Sequence, residues 1–369
     1  MQKKILIAGQ ADHDNFGDSL IFSMYLKLIR QTAPEACTKI LNPSQIFIDR
    51  LNNDNEPVSS VMLDQEGSID DDADYIILVP GGFLGCPDIT DPAWQIKWIK
   101  NSYIKKALKA ISEISKPTLV HGVEIGPFLR PLVAKTIRIF LKGSFINKVY
   151  SRNHGGANYA KKHLHINPTV LPDFVSSVTQ FYPEDSLEVN TNELGIHATG
   201  KIFSNNILAR NFLSDIETCI SKANIKSVMI FSDQLIPSTH KSSISKLCAR
   251  LTEKGVKCTI KDYEGILPTL KNIQSCSTII TSKLHVGVCG LSYSKKVVSI
   301  SSHPKLSRFY SDSGLSSFNT NYFFSNRKSK IDLMSRILKM NNSQYFNSYK
   351  NNSLEVYSIY RSSLVDFLE

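Results

Sequence analysis

The residues with most chemistry to offer stand late in the chain, in Thr281-Ser-Lys-Leu-His285, where a cation and an imidazole sit two apart. If the apolar run at 278–282 ends a buried strand and Leu284 starts a helix, Lys283 and His285 project from one strand-to-helix corner. Such a corner attracts anions, because the helix's free N–H groups and positive dipole end favour phosphate or carboxylate and Lys283 adds a full charge. His285 would then be a proton carrier held against a bound anion. A second cation, Lys305, follows the next apolar run, at 297–300, in Pro304-Lys305-Leu-Ser-Arg308. Lys283, His285 and Lys305 thus read as one set at consecutive strand ends, although a histidine in a helix's first turn is often structural.

Four further motifs fall where strands would end. Asn15-Phe-Gly17-Asp18 follows the apolar residues 5–8 and precedes a helix-like run at 20–29. Its glycine lets backbone approach a ligand and Asp18 or Ser19 can cap the helix; a plain capped turn is the alternative. Pro80-Gly81-Gly82-Phe83 follows the strand at 75–79, where a cleft-lining loop is expected, or simply a turn. Gly122-Val-Glu124-Ile-Gly126-Pro127 continues a strand that ends at His121, with Pro127 suited to the first turn of the next helix. Glu124 is a candidate general base or sugar-hydroxyl acceptor, or a solvated or capping carboxylate. Ser151-Arg152-Asn-His154-Gly-Gly156 ends another strand. Arg152 suits two-pronged recognition of carboxylate or phosphate, or a surface salt bridge, and His154 is a site residue or mere helix-start polarity.

These corners need elements to hold them. Short β-rich runs at 5–8, 75–79, 118–121 and 149–151 alternate with helical stretches, and so do runs at 194–197, 228–231, 256–260, 278–281 and 297–300. Alternation of this kind implies parallel sheets covered on both faces, here twice over. The expected fold is α/β, with two Rossmann-like domains whose strand ends face a central cleft, plus C-terminal helices. The expected domains are residues 1–180, which contribute Arg152; residues 190–326; and a helical tail at 327–369. Their linker falls within 170–192, and the acidic run at 70–74 reads as solvation of a strand rather than a metal site.

Composition narrows the function classes. The chain has 369 residues, 42% hydrophobic and 21% charged, enough for two ordinary cores. Seven cysteines without a Cys-x-x-Cys pair argue against a zinc site or disulfide framework and for a reducing compartment. The apolar run at 5–8 is too short for a signal peptide, and no run of about 18 apolar residues reads as a spanning helix. A cytoplasmic location follows. Lys and Arg number 43 against 33 Asp and Glu, a net charge of +10 that favours anionic partners and reads as dispersed. With no zinc-finger spacing, aromatic RNA-binding pattern or basic heptad, nucleic acid is not an expected partner. Residues 97–109 and 135–148 offer faces for a peripheral contact with an anionic membrane, or are simply solvated. A Gly-x-Gly-x-x-Gly dinucleotide fingerprint is absent, and no bound cofactor or metal is expected.

Taken in order, Asn15-x-Gly17-Asp18, Gly81-Gly82, Gly122-x-x-Ile125-Gly126-Pro127, Ser151-Arg152, Pro172-Asp173, Lys283-Leu-His285 and Pro304-Lys305 resemble the polysaccharide pyruvyl transferase family over residues 3–320. The resemblance implies a GT-B-like pair of Rossmann domains and transfer of an enolpyruvyl-derived group from phosphoenolpyruvate to two hydroxyls of a sugar, giving a cyclic ketal. The acceptor it implies is a cell-surface glycan or its lipid-linked precursor. Arg152, His285 and Lys305 match the family's functional positions. Lys283 stands where an arginine is commoner, which costs planar two-pronged recognition, and Asn153 stands where an acidic residue often follows the arginine. In this reading Arg152, Lys283 and Lys305 neutralise the donor and His285 protonates its methylene carbon. The base for the hydroxyls stays open among Asp18, Glu124 and His154. Two alternatives stand beside it: a GT-B glycosyltransferase using a nucleotide sugar, and a non-catalytic glycan-binding relative.

Overall fold

The computed structural model describes residues 2–12, 14–53, 58–64, 69, 72–85, 103–128, 130–184, 193–197, 206–235, 238–301, 304–340 and 344–369. Cys86, the first part of the lysine stretch (97–102), Asp70 and Asp71 of the acidic run, and linker residues 185–192 lie outside them. The chain forms two compact units. One comprises Met1–Asp14, Asp18–Phe174 and Glu355–Glu369, the other Asn15–Gly17 and Val175–Leu354. The tail at 327–369 is therefore no unit of its own: it counts with the second unit up to Leu354 and with the first from Glu355.

In the first unit the order is β1 (Lys4–Ala8), α1 (Phe16–Thr32), β2 (Cys37–Leu41), α2 (Gln45–Asn53), β3 (Ser59–Val61), β4 (Tyr75–Leu78), β5 (Gly81–Gly85) and α3 (Tyr103–Ile114). Then come β6 (Thr118–Gly126), α4 (Pro131–Leu141), β7 (Ile146–Ser151), α5 (His154–Tyr159), a π-helical turn (Ala160–Leu164) and β8 (Thr169–Val170). The strands form one parallel sheet in the order β3-β2-β1-β4-β6-β7-β8, with β5 pairing alongside β6. β1 and β4 are continuous apolar runs because helices cover both faces of such a sheet, and all nine residues of β6 are buried.

Two local expectations change. Gly81 opens a strand rather than a loop, at φ +134°, a conformation that a side chain would strain. Pro127 does not start a helix. It follows a cis peptide from Gly126, and Pro131 takes the first position of α4, whose Val133, Ile137, Phe140 and Leu141 form its buried stripe.

The second unit runs β9 (Glu193–His197), α6 (Asn206–Ala223), β10 (Ser227–Phe231), α7 (Ser238–Glu253), β11 (Lys257–Lys261), α8 (Ile266–Ser275), β12 (Thr278–Thr281), α9 (Leu284–Ser292), β13 (Lys296–Ser301), α10 (Pro304–Asp312) and β14 (Asn319–Asn321). α11 (Arg327–Lys339) and α12 (Gln344–Leu368) complete the chain. Its sheet is again parallel, ordered β11-β10-β9-β12-β13-β14. From β9 the chain winds outward to β11 and then resumes at β12 on the other side of β9. The strand ends diverge at that reversal, where ligands of open α/β sheets bind.

The end of α12 closes the first unit. Tyr360, Leu364 and Phe367 are buried at helical spacing, and the Tyr360 hydroxyl donates to the Pro172 carbonyl at 3.0 Å. On β6, the His121 ring lies between the Tyr25 hydroxyl, at Nδ1, and Ser363 of α12, whose Oγ is 2.7 Å from Nε2.

Candidate active site

In the second unit, three strands deliver polar side chains to the reversal point. β9 ends in His197, β10 leads through Ser232 to Asp233, and β12 leads through Ser282 to Lys283. His197 Nε2 lies 3.1 Å from Asp233 Oδ1, and Lys283 Nζ lies 3.2 Å from Asp233 Oδ2. His197 and the Asp233 carboxylate are buried whereas Lys283 is half-buried, so the chain His197–Asp233–Lys283 leads from the core toward solvent. Each oxygen of Asp233 has its own donor, as a buried carboxylate requires.

Lys283 caps α9 without a side-chain acceptor, and its own N–H is held by Thr281 Oγ1 at 3.0 Å. His285 follows in the first turn, half-buried, and its ring lies directly over Gly17. A Cβ on Gly17 would fall 2.0 Å from His285 Nδ1, so the glycine is required by contact, not by turn geometry. Phe16 beside it donates its N–H to the Asp233 carbonyl at 2.9 Å, satisfying an otherwise orphaned donor at the start of α1. Lys305 stands half-buried in the first turn of α10. The structure thus brings Asn15–Gly17 together with Lys283 and His285 in one unit, and adds His197 and Asp233. Sequence reading missed those two, although each closes or follows an apolar strand as Lys283 does.

In the first unit, Glu124, Arg152, Asn153 and Asp173 make a buried polar cluster, each less than a tenth exposed. Arg152 Nε donates to Glu124 Oε2 at 2.8 Å, and Arg152 Nη1 lies 3.7 Å from Asp173 Oδ2. Burial pulls against the guanidinium charge, and the two carboxylates more than offset it, holding the Arg152 pKa above its ordinary value. Arg152 is thus a buried ion pair rather than a surface one, and Glu124 is neither solvated nor capping.

Asn153 explains its own identity. Its Oδ1 accepts the Gly156 N–H at 2.6 Å as the cap of α5, while its Nδ2 donates to Glu124 Oε2 at 2.7 Å. An acidic residue could cap but could not donate. His154 is exposed at the start of α5, Asp18 lies in the first turn of α1, and Gly82 has Gln10 Oε1 as its nearest side-chain neighbour, 3.6 Å from where a Cβ would be. Among the described residues no group of His, Cys, Asp and Glu is arranged to hold a metal ion, and no helix is long and apolar enough to cross a membrane.

A sequence model of the polysaccharide pyruvyl transferase family matches residues 15–304, most of the chain and both clusters. The chain belongs to that family. No curated protein sequence matches it. Solved structures similar to this pyruvyl transferase family member share its architecture at very low identity. Staphylococcus aureus MnaA, solved with UDP, has a TM-score of 0.64 at 8% identity, covering 100% of this chain and 96% of its own. The UDP-GlcNAc 2-epimerase of Neisseria meningitidis, bound to UDP-GlcNAc, has 0.62 at 10%, covering 100% and 99%. Anabaena HepE, in complex with UDP and glucose, has 0.57 at 11%, also covering 100% and 99%. These likenesses establish a GT-B-type α/β fold.

Proposed function

We propose that this pyruvyl transferase family member takes its pyruvyl group from phosphoenolpyruvate and forms a cyclic ketal on two hydroxyls of a sugar, in a cell-surface glycan or its lipid-linked precursor. The observation that carries this reading is the seating of His285 on Gly17, beside Lys283 and the start of α9. Phosphoenolpyruvate is small and has two anionic groups; a helix N-terminus with Lys283 and Lys305 nearby in sequence order supplies charge for both. Because Asp233 already engages Lys283, that lysine offers the donor part of a shared charge. Any anion bound by Arg152 must compete with Glu124 and Asp173 for its guanidinium.

In the proposed reaction His285, as imidazolium, protonates the methylene carbon, and C2 becomes electrophilic. One sugar hydroxyl adds there, and the second displaces phosphate. The two hydroxyl protons balance the step: one restores His285 and the other leaves toward phosphate or solvent. Asp233 acts through Lys283 and His197 as a positioning residue. Asp18, Glu124 and His154 are the candidates for receiving a hydroxyl proton; of these Glu124 is held by two donors and His154 stands exposed on a short helix.

The test is binding and phosphate release with phosphoenolpyruvate against a panel of nucleotide sugars. Release of one phosphate per acceptor modified supports the reading. The nucleotide-sugar alternative draws on the ligands named for the fold neighbours, and tight binding of a UDP-sugar with none of phosphoenolpyruvate would favour it. Donor binding without turnover on any acceptor would favour a glycan-binding relative.

A further inference from the structure

The net charge of this chain is not dispersed. Between Glu124 and Asp173 there is no acidic residue, while Arg130, Lys135, Arg138, Lys142, Lys148, Arg152, Lys161 and Lys162 all fall there. Missing carboxylates, rather than a dense lysine run, make the cluster. Arg152 is neutralised internally; the others lie on or beside α4 and the strands and turns that follow it.

α4 is the centre of this region. With Val133, Ile137, Phe140 and Leu141 turned inward, its outer face carries Leu132 and Ile139, 56% and 62% exposed and two helical turns apart. Lys135 and Lys142 repeat the same spacing on that face, both exposed, with Arg138 flanking them. α4 packs against the π-helical turn, whose Lys161, Lys162 and His163 are exposed as well. Among the described residues Lys135, Arg138, Lys142, Lys161 and Lys162 enter no ion pair.

This combination selects its occupant. A solvated face has no use for two large aliphatic side chains at 132 and 139, and the centre of a protein interface is depleted in lysine. A nucleic-acid backbone would take the cations but offers the aliphatic pair nothing apolar. A bilayer with anionic lipids takes both, headgroups for the cations and the acyl boundary for Leu132 and Ile139. We propose that the outer face of α4, with the adjoining basic turn, docks on a membrane surface rich in anionic lipid. The inference rests on charge and exposure and stands independently of the reaction proposed above, for which it would bring a lipid-linked acceptor within reach.

The experiment is co-sedimentation of the full chain with phosphatidylcholine vesicles, with and without about 30% phosphatidylglycerol. Binding is expected only to the anionic vesicles. At roughly fivefold per cation near such a surface, Lys135→Gln with Lys142→Gln should weaken partitioning about 25-fold. Leu132→Ser with Ile139→Ser should weaken it at least about tenfold with charge unchanged. Lys246→Gln, on exposed α7, should have no effect, and thermal melts of these surface variants should match the parent. Equal binding to neutral vesicles, no binding to either, or indifference to the Leu132 and Ile139 changes would overturn the proposal. Binding to duplex DNA that ignores those two changes would redirect it to nucleic acid.

Discussion

Lys283 and Asn153, the two residues read from sequence as departures from the family pattern, each have a partner in the structure. Lys283 meets one oxygen of the Asp233 carboxylate, whose other oxygen already belongs to His197. Asn153 must accept from Gly156 and donate to Glu124 at once. Asn153→Asp should therefore set a carboxylate against Glu124 and destabilise by about 1–3 kcal/mol. Like charges raise carboxyl pKa values, so the deficit opens as pH rises through the unfolded carboxyl pKa of about 4: it should be small near pH 3.5 and complete by about pH 7. Urea unfolding at the two pH values checks it, and an equal deficit at both would mean the amide is not serving as the donor. His285→Gln should leave the melting temperature in place and lower kcat by about 10² to 10⁴. Near-normal phosphate release by the folded variant would remove His285 from the acid role. Gly17→Ala is a subtler probe of the same ring: the new methyl must push the imidazole aside, and a displacement of that size costs about 10²-fold in kcat. Steady-state kinetics alongside a thermal melt would separate this from loss of fold.

Among the elements, β6 and the end of α12 are joined through a buried histidine. His121, wholly buried between Tyr25 and Ser363, has its pKa pushed down to about 3 by desolvation. The unfolded chain protonates this histidine near its ordinary pKa of about 6.5 and the folded chain resists. Its contribution to stability is therefore complete above about pH 6.5 and is lost progressively as pH falls toward 3, by up to about 1.4 kcal/mol per pH unit. His121→Gln should be less stable at pH 7.5 yet show a flatter decline between pH 6.5 and 5, measured by urea denaturation. A variant as steep as the parent would place the acid sensitivity elsewhere.

For the whole molecule, the proposed donor site predicts activity in EDTA, since Lys283, Lys305 and the start of α9 supply the positive charge that a divalent ion gives many phosphate sites. Phosphate release abolished by EDTA and restored by magnesium would contradict that site. What the sequence determined by itself was local in origin. Continuous apolar runs such as Tyr75–Leu78 and Thr278–Thr281 announce strands buried on both faces, and the Lys283-Leu-His285 corner announces a helix start, because burial and capping act on neighbouring residues. Pairings between distant strand ends carry no such local mark. His197 and Asp233 are 36 positions apart and look like ordinary strand-end polarity until the reversal of sheet order sets them beside Lys283. Arg152 reads the same in sequence whether it faces solvent or Glu124, and Gly17 reads as a turn glycine until His285 is placed on it. Tertiary structure decided these because each depends on which buried charges must find partners and how closely two backbones approach, quantities fixed only when the sheets are assembled.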